Sequence, residues 1–226
     1  MDHGLEFRTE SGRLQIGERS CALYMAQKGT TYAWSNARDI AVTPTVPYDA
    51  IAIAPADALS IKPEPSFGGT KAANTTTQIH KNPVEADPNY LIAYDWYAFR
   101  RYSHLAPSTS GSGLELQHPV SGEVMFSTRQ PKILKGFPAA VTAANKDGFE
   151  VPVLAGRTYA FLAYGMCRVK ATSAVGGYWN HYYTGVYVHP VTGRIMAGCT
   201  TYLTSSFDAG PTSFDGGIFA CDVTNY

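Results

Sequence analysis

The sequence predicts an all-β protein of β-sandwich-like type, one or two antiparallel units built around repeated hairpins. Three observations carry this prediction. Turn-forming residues are plentiful, with 21 glycines and 14 prolines in 226 residues, and no stretch holds helical apolar spacing for more than about two turns. Apolar and polar residues instead alternate, which is the period of a strand with one buried face. Finally, one hairpin pattern occurs three times along the chain.

The clearest copy is 113–129, GLELQHPVSGEVMFSTR, with weaker copies at 4–19, GLEFRTESGRLQIGER, and 185–198, GVYVHPVTGRIMAG. Aligned on Gly12, Gly122 and Gly193, each reads glycine, alternating apolar residues, a polar turn closing on Ser-Gly or Thr-Gly, then alternation again. Leu114 and Leu116 point to one side, Glu115 and Gln117 to the other, and Val124 and Phe126 resume the apolar face. The closing glycine can take the left-handed conformation that a short bulged hairpin loop requires. Gly12, Gly122 and Gly193 are therefore assigned as structural turn residues. Chance resemblance among common hairpins is the competing explanation.

Between the copies, 21–34 (CALYMAQKGTTYAW) reads as a strand region with Lys28-Gly29 as a turn. Prolines at 44, 47, 55, 63 and 65 remove ladder donors, so only short strands such as 50–54 fit among them. Residues 74–81 suit an exposed strand. Residues 90–102 (YLIAYDWYAFRRY) read as a central strand covered on both faces, with Leu91, Ala93, Asp95 and Tyr97 on one side and Ile92, Tyr94, Trp96 and Ala98 on the other. Helix is the alternative there, and the aromatic content opposes it.

Residues 105–112 are rich in Ser, Gly and Pro. They divide the chain into a β-rich unit over 1–104 and a β-sandwich unit over 113–226, with a linker or a long loop between. Further on, 139–144 reads as a short strand or a helical turn. Segments 149–154 and 158–164 read as a hairpin around Ala155-Gly156-Arg157, 199–205 as an added strand, and 208–217 as a loop before a closing strand over 218–223.

Lys plus Arg equals Asp plus Glu at 18 each, so no net field favours nucleic acid, and the low charged fraction of 16% points to surfaces covered by partners. The start, MDHGLEF, has no basic segment followed by an apolar run, and no apolar run reaches the roughly 20 residues of a membrane span. Synthesis in the cytosol without a Sec signal and no membrane insertion are expected. Cys21, Cys167, Cys199 and Cys221 show no paired metal-ligand spacing and read mainly as buried free thiols, with no metal or cofactor expected.

No nucleophile, phosphate-binding or metalloprotease motif is present, and no enzymatic activity is expected. His118 and His189 precede a turn proline in two hairpin copies and read as turn residues. Asp208 and Asp215 could hold calcium or form a glycosidase pair, against solvated turn acids as the simpler reading. The cluster Tyr178, Trp179, His181, Tyr182 and Tyr183, with Asn180, is the candidate binding surface for a partner or glycan, because rings bury area at small entropic cost. A core or an oligomer interface would use the same residues.

The paired pattern starting at Gly4 and Gly113, with Leu5, Gly12, Leu114 and Gly122 at matching positions, resembles small tail-tip and fibre-associated virion proteins of tailed bacteriophages of the siphophage type. It covers about a quarter of the chain, and departs from that family's pattern at Gly17 and Glu18, where an Asp/Ser pair would be expected. The resemblance implies a structural protein of the viral tail, assembled in the host bacterial cytoplasm. It would be a homo-oligomer that docks on other phage tail proteins and takes part in host attachment through a surface receptor or glycan. A carbohydrate-binding module built on Tyr178–Tyr183 is the alternative, and a glycan-degrading enzyme using Asp208 or Asp215 is a further one.

Overall fold

The computed structural model describes residues 5–9, 12–16, 23–57, 59–63, 71–83, 89–101, 113–117, 121–122, 124–127, 134–172, 179–205 and 211–226. Among them fifteen strands follow one another. They are β1 (Leu5–Thr9), β2 (Gly12–Ile16), β3 (Leu23–Trp34), β4 (Asp39–Val42), β5 (Ala50–Ile53), β6 (Thr77–His80), β7 (Leu91–Arg101) and β8 (Glu115–Gln117). Then come β9 (Val124–Ser127), β10 (Gly136–Ala140), β11 (Phe149–Glu150), β12 (Tyr159–Thr172), β13 (Trp179–Val188), β14 (Ile195–Ser205) and β15 (Ser213–Asp222). The protein is all-β.

Nine strands form one antiparallel sheet in the order β11-β14-β13-β12-β5-β7-β3, with β15 pairing both β12 and β10. Pairs β1–β2, β4–β6 and β8–β9 stand as small two-stranded sheets. Strands from 1–104 and from 113–226 share the large sheet, joined where Phe161 of β12 meets Ile53 of β5. The stretch 105–112 lies outside the described residues.

Strand alternation explains the core. Strand β5 is buried at all four positions, and its two faces serve different clusters. Ile51 and Ile53 join Tyr94, Trp96, Phe161 and Ile218, and this cluster is closed by Ile40, Val42 and Ile79 of the β4–β6 sheet. Ala50 and Ala52 join Tyr97, Phe99, Leu162 and Cys221 on the opposite side. A small sheet packed on one face of a large one is the layered solution by which β-sheets bury an apolar side.

The predicted faces of 90–102 appear in β7, where Ile92, Tyr94, Trp96 and Ala98 all enter the first cluster. Coverage of the other face is partial: it begins at Tyr97, and Leu91, Ala93 and Asp95 are exposed. Lys28 and Gly29 do not turn. They sit inside β3 opposite Tyr97 and Trp96. A Cβ on Gly29 would lie 2.5 Å from Trp96 Cζ2, so the glycine there makes room for an indole.

The predicted hairpin over 149–164 does not form. Ala155 and Gly156 turn the chain, with Gly156 at φ 75°, but β11 pairs with β14 and β12 with β15. Pro152 lacks the N–H a ladder needs, whereas β15 offers β12 a continuous register from Tyr159↔Asp222 to Arg168↔Ser213. Residues 199–205 continue β14 and add no separate strand, and 213–217 of the predicted loop already belong to β15. Residues 139–140 end β10, and 143–147 form a turn. Strand β6 is half-buried through Thr77 and Ile79, where 74–81 reads as an exposed strand.

All three hairpin copies are antiparallel pairs, β1–β2, β8–β9 and β13–β14. Gly122 (φ 71°) and Gly193 (φ 66°) hold the left-handed turn conformation. Gly12 instead opens β2, opposite Thr9.

Candidate functional site

The aromatic cluster falls at the start of β13, and alternation divides it. Trp179, His181 and Tyr183 share one face with their cross-strand neighbours Thr172, Lys170 and Arg168 of β12. Tyr182 lies on the other face, packed on the cluster of Val141, Cys167 and Cys199. Tyr178 lies outside the described residues. His181 is 1% exposed, which removes its ring from any contact surface. Among the described residues of the predicted platform, Trp179 and Tyr183 are the half-buried rings on this face.

Each ring carries a lysine. Lys170 Nζ stands 3.9 Å from the centre of Trp179, and Lys62 Nζ stands 4.0 Å from the centre of Tyr183. The negative face of an aromatic ring attracts an ammonium by about 0.5–2 kcal/mol, depending on solvent exposure. Lys62 comes from far away in sequence, and a crossing segment places it. Ile61 exchanges backbone bonds with Val186 of β13 (3.0 and 2.8 Å), while Lys62 N donates to His80 O at 2.6 Å. Ser60 Oγ reaches Thr200 Oγ1 (2.6 Å) and Thr201 Oγ1 (2.8 Å), an approach open because Gly185 has no side chain there.

Beside this crossing lies a cleft of about 250 Å³ lined by Lys62, Pro63, Lys71, Thr76, Thr77, Gln78 and His80. Two lysines and an imidazole are among its lining residues. Asp39 holds His80 through Nδ1, and Thr77 Oγ1 bonds the Tyr48 hydroxyl. Lys71 is set by a two-way backbone bridge to Tyr48 (2.6 and 3.0 Å). None of these residues stood out in the sequence, because they come from a proline-rich stretch and an ordinary threonine-rich strand. Only the crossing of 60–63 over β6 unites them.

Behind the cleft Lys81 is fully buried, and its Nζ donates to Ser35 O at 2.5 Å. Burial lowers its pKa, opposed by the charge of Asp57. Asp57 is pushed up by burial, opposed by the Leu59 amide, Lys81 and Tyr94. Tyr94 is raised by burial and by that carboxylate. These groups fasten 57–61 to the first core cluster.

No family model matches this chain, and neither does a curated protein or a solved structure.

The remaining chemical candidates lie apart from the cleft lining. Asp215 is on β15, not in a loop, and its Oδ2 accepts from Ser213 Oγ at 2.7 Å. Asp208 and His118 lie outside the described residues. His189 Nδ1 accepts from the amides of Val191 and Thr192, both at 3.3 Å, as a turn cap. Among the described residues no group of three or more His, Cys, Asp or Glu could hold a metal ion. Cys167, Cys199 and Cys221 are buried free thiols.

A second surface was not singled out in the sequence. At the outer end of the large sheet Tyr32 (63% exposed), Trp34 (54%) and Leu91 (52%) lie together on one face, with Trp34 directly opposite Leu91 and Tyr32 opposite Ala93. Tyr90, also exposed, precedes Leu91, and its carbonyl accepts from Ser35 N at 2.8 Å. The period-two reading of 90–102 set Leu91 and Ala93 on one face, and only the pairing with β3 brings Trp34 and Tyr32 beside them. Which of them the fold leaves exposed is not a property of the period.

Proposed function

We propose that this protein works by binding, as a structural component of a bacteriophage tail tip or tail fibre that docks on other tail proteins and is present in several copies. The observation that supports docking is the exposed Tyr32, Trp34 and Leu91 surface. A contiguous exposed aromatic patch on a large sheet is a common mark of a protein interface, and aromatic residues there carry a large share of binding energy. The placement in a phage tail comes from the resemblance of the paired Gly-Leu hairpins at Gly4 and Gly113.

Light scattering after size-exclusion chromatography on the full-length protein tests the docking. A homo-oligomer is expected, and Tyr32→Ser with Trp34→Ser should dissociate it into a protomer that still folds and melts cooperatively, because neither ring is buried in the chain. An oligomer indifferent to both changes would remove the patch from the interface. Gold-labelled antibody on phage particles tests the placement: label at the tail tip is expected, and particles without label would reject it.

A further inference from the structure

We infer that a second copy of this chain docks by joining the outer edge of β3, in an antiparallel pairing whose two-fold axis passes at Thr30. The large sheet then runs on from one protomer into its partner. This rests on the homo-oligomer in the reading above, and adds which strand edge makes the contact and in what register.

Strand β3 ends the large sheet, with β7 as its neighbour on the inner side. Which residues of β3 face outward follows from β7. The Asp95 carbonyl accepts from Ala54 N and the Phe99 carbonyl from Asp49 N, both at 2.8 Å, so these alternate residues of β7 direct their backbone groups away from β3. Lys28, Thr30 and Tyr32 stand opposite Tyr97, Asp95 and Ala93, and in an antiparallel ladder a residue whose partner bonds away also bonds away. Their amides and carbonyls therefore point out of the sheet edge, and among the described residues nothing bonds them. Strand β4 lies under the other face, where Thr31 Oγ1 donates to Ala41 O at 2.8 Å and Ala33 packs with Ile40 and Val42. An open strand edge is a template for pairing with another chain.

The open run is short and self-complementary. A bulge between Met25 and Gln27 closes it at one end, and at the other Trp34 O is taken by Ala37 N at 2.9 Å. Residues 28–32 lie between, without proline and with Thr30 at their centre. Pairing about Thr30 sets Thr30 against Thr30 of the partner subunit, and Lys28 against Tyr32 of the partner subunit, with each opposed pair exchanging both backbone bonds. Lys28 and Tyr32 are exposed on the same face, so the ammonium of one copy meets the ring of the other, while the two Lys28 charges stay at opposite ends of the joint. Lys28 Nζ keeps its bond to Tyr226 O at 2.7 Å with donors to spare. A register two residues away would set Lys28 against Trp34, or Tyr32 against the bulge, and lose one of the pairs.

Light scattering and amide hydrogen exchange on the full-length protein test this. The parent is expected to dimerise, with exchange at Lys28, Thr30 and Tyr32 slowing as protein concentration rises. Thr30→Pro removes an N–H that the fold itself does not use, so it should weaken association at least about a hundredfold and leave the chain folded. Thr30→Val loses the hydroxyl bond to Asp95 but keeps the N–H, and should associate like the parent. Thr30→Cys reads the register without a proline: with oxidised glutathione it should cross-link to itself, because directly opposed bonded residues have Cα atoms about 5.5 Å apart. Lys28→Cys should not cross-link to itself. A monomeric parent would overturn both this pairing and the homo-oligomer it rests on. An oligomer that survives Thr30→Pro in folded form, or in which Thr30→Cys fails to cross-link or Lys28→Cys links as readily, would overturn the pairing and leave the homo-oligomer standing.

Discussion

Strands β7 and β13 are both dense in aromatic residues, and the fold uses them in opposite ways. In β7 the rings of Tyr94, Trp96, Tyr97 and Phe99 are buried between two core clusters, because β7 has β5 and β3 as neighbours and packed layers above and below. In β13 the rings of Trp179 and Tyr183 are half-buried and take lysines on their faces, while Tyr182 alone turns to a core cluster. Ring content in a segment therefore does not decide burial. The number of layers passing over each end of the strand does.

Four experiments break or sharpen this contrast. Phe99 is fully buried, so Phe99→Ala should cost about 3–5 kcal/mol in urea denaturation. A loss no greater than that of Tyr183→Ala would remove the distinction between the strands. Gly29→Val, on the strand that pairs with β7, drives atoms into the Trp96 indole and should cost about 1–3 kcal/mol. Combining it with Trp96→Leu should recover part of that loss, and strict additivity would show that the ring is not what the glycine accommodates.

The third experiment probes the closed side of β13. Burial pushes the Cys199 thiol up to about 11 from 9.0. The folded state thus holds this proton more tightly than the unfolded state, and the resulting stabilisation is complete below pH 9.0 and lost as pH rises through about 11. Cys199→Ala should flatten the alkaline limb of the stability curve in that window, and the native thiol should resist alkylation at neutral pH. Rapid alkylation of Cys199 in the folded protein would mean that this side is open. The smallest effect is expected for Tyr183→Ala, about 0.5–2 kcal/mol from loss of the Lys62 contact together with partial packing.

The particular residues show how far sequence reading reached. Faces along β7 were legible because alternation is local, and Gly122 and Gly193 were legible because a positive φ in a tight hairpin is a property of two or three residues. Gly29 looked like a turn for the same local reason, and only Trp96, contributed by β7, reveals its steric purpose. The segments around Gly156 looked like a hairpin because both alternate, yet alternation does not name a partner. The candidate site was the least legible part. Lys62, Lys71 and His80 carry no motif, whereas Tyr178–Tyr183 carried a strong compositional signal that the pleat then split between two faces.

By itself the sequence determined the β class, the alternating faces of β7 and the turn glycines at 122 and 193, all of which follow from backbone geometry over a few residues. The tertiary structure alone decided which strands pair, which aromatic rings are covered, and that 60–63 meets β6 and β13 so that Lys62, Lys71 and His80 line one cleft. Those outcomes depend on competition among distant segments for the same ladder positions and the same apolar surface, and no local period records who wins.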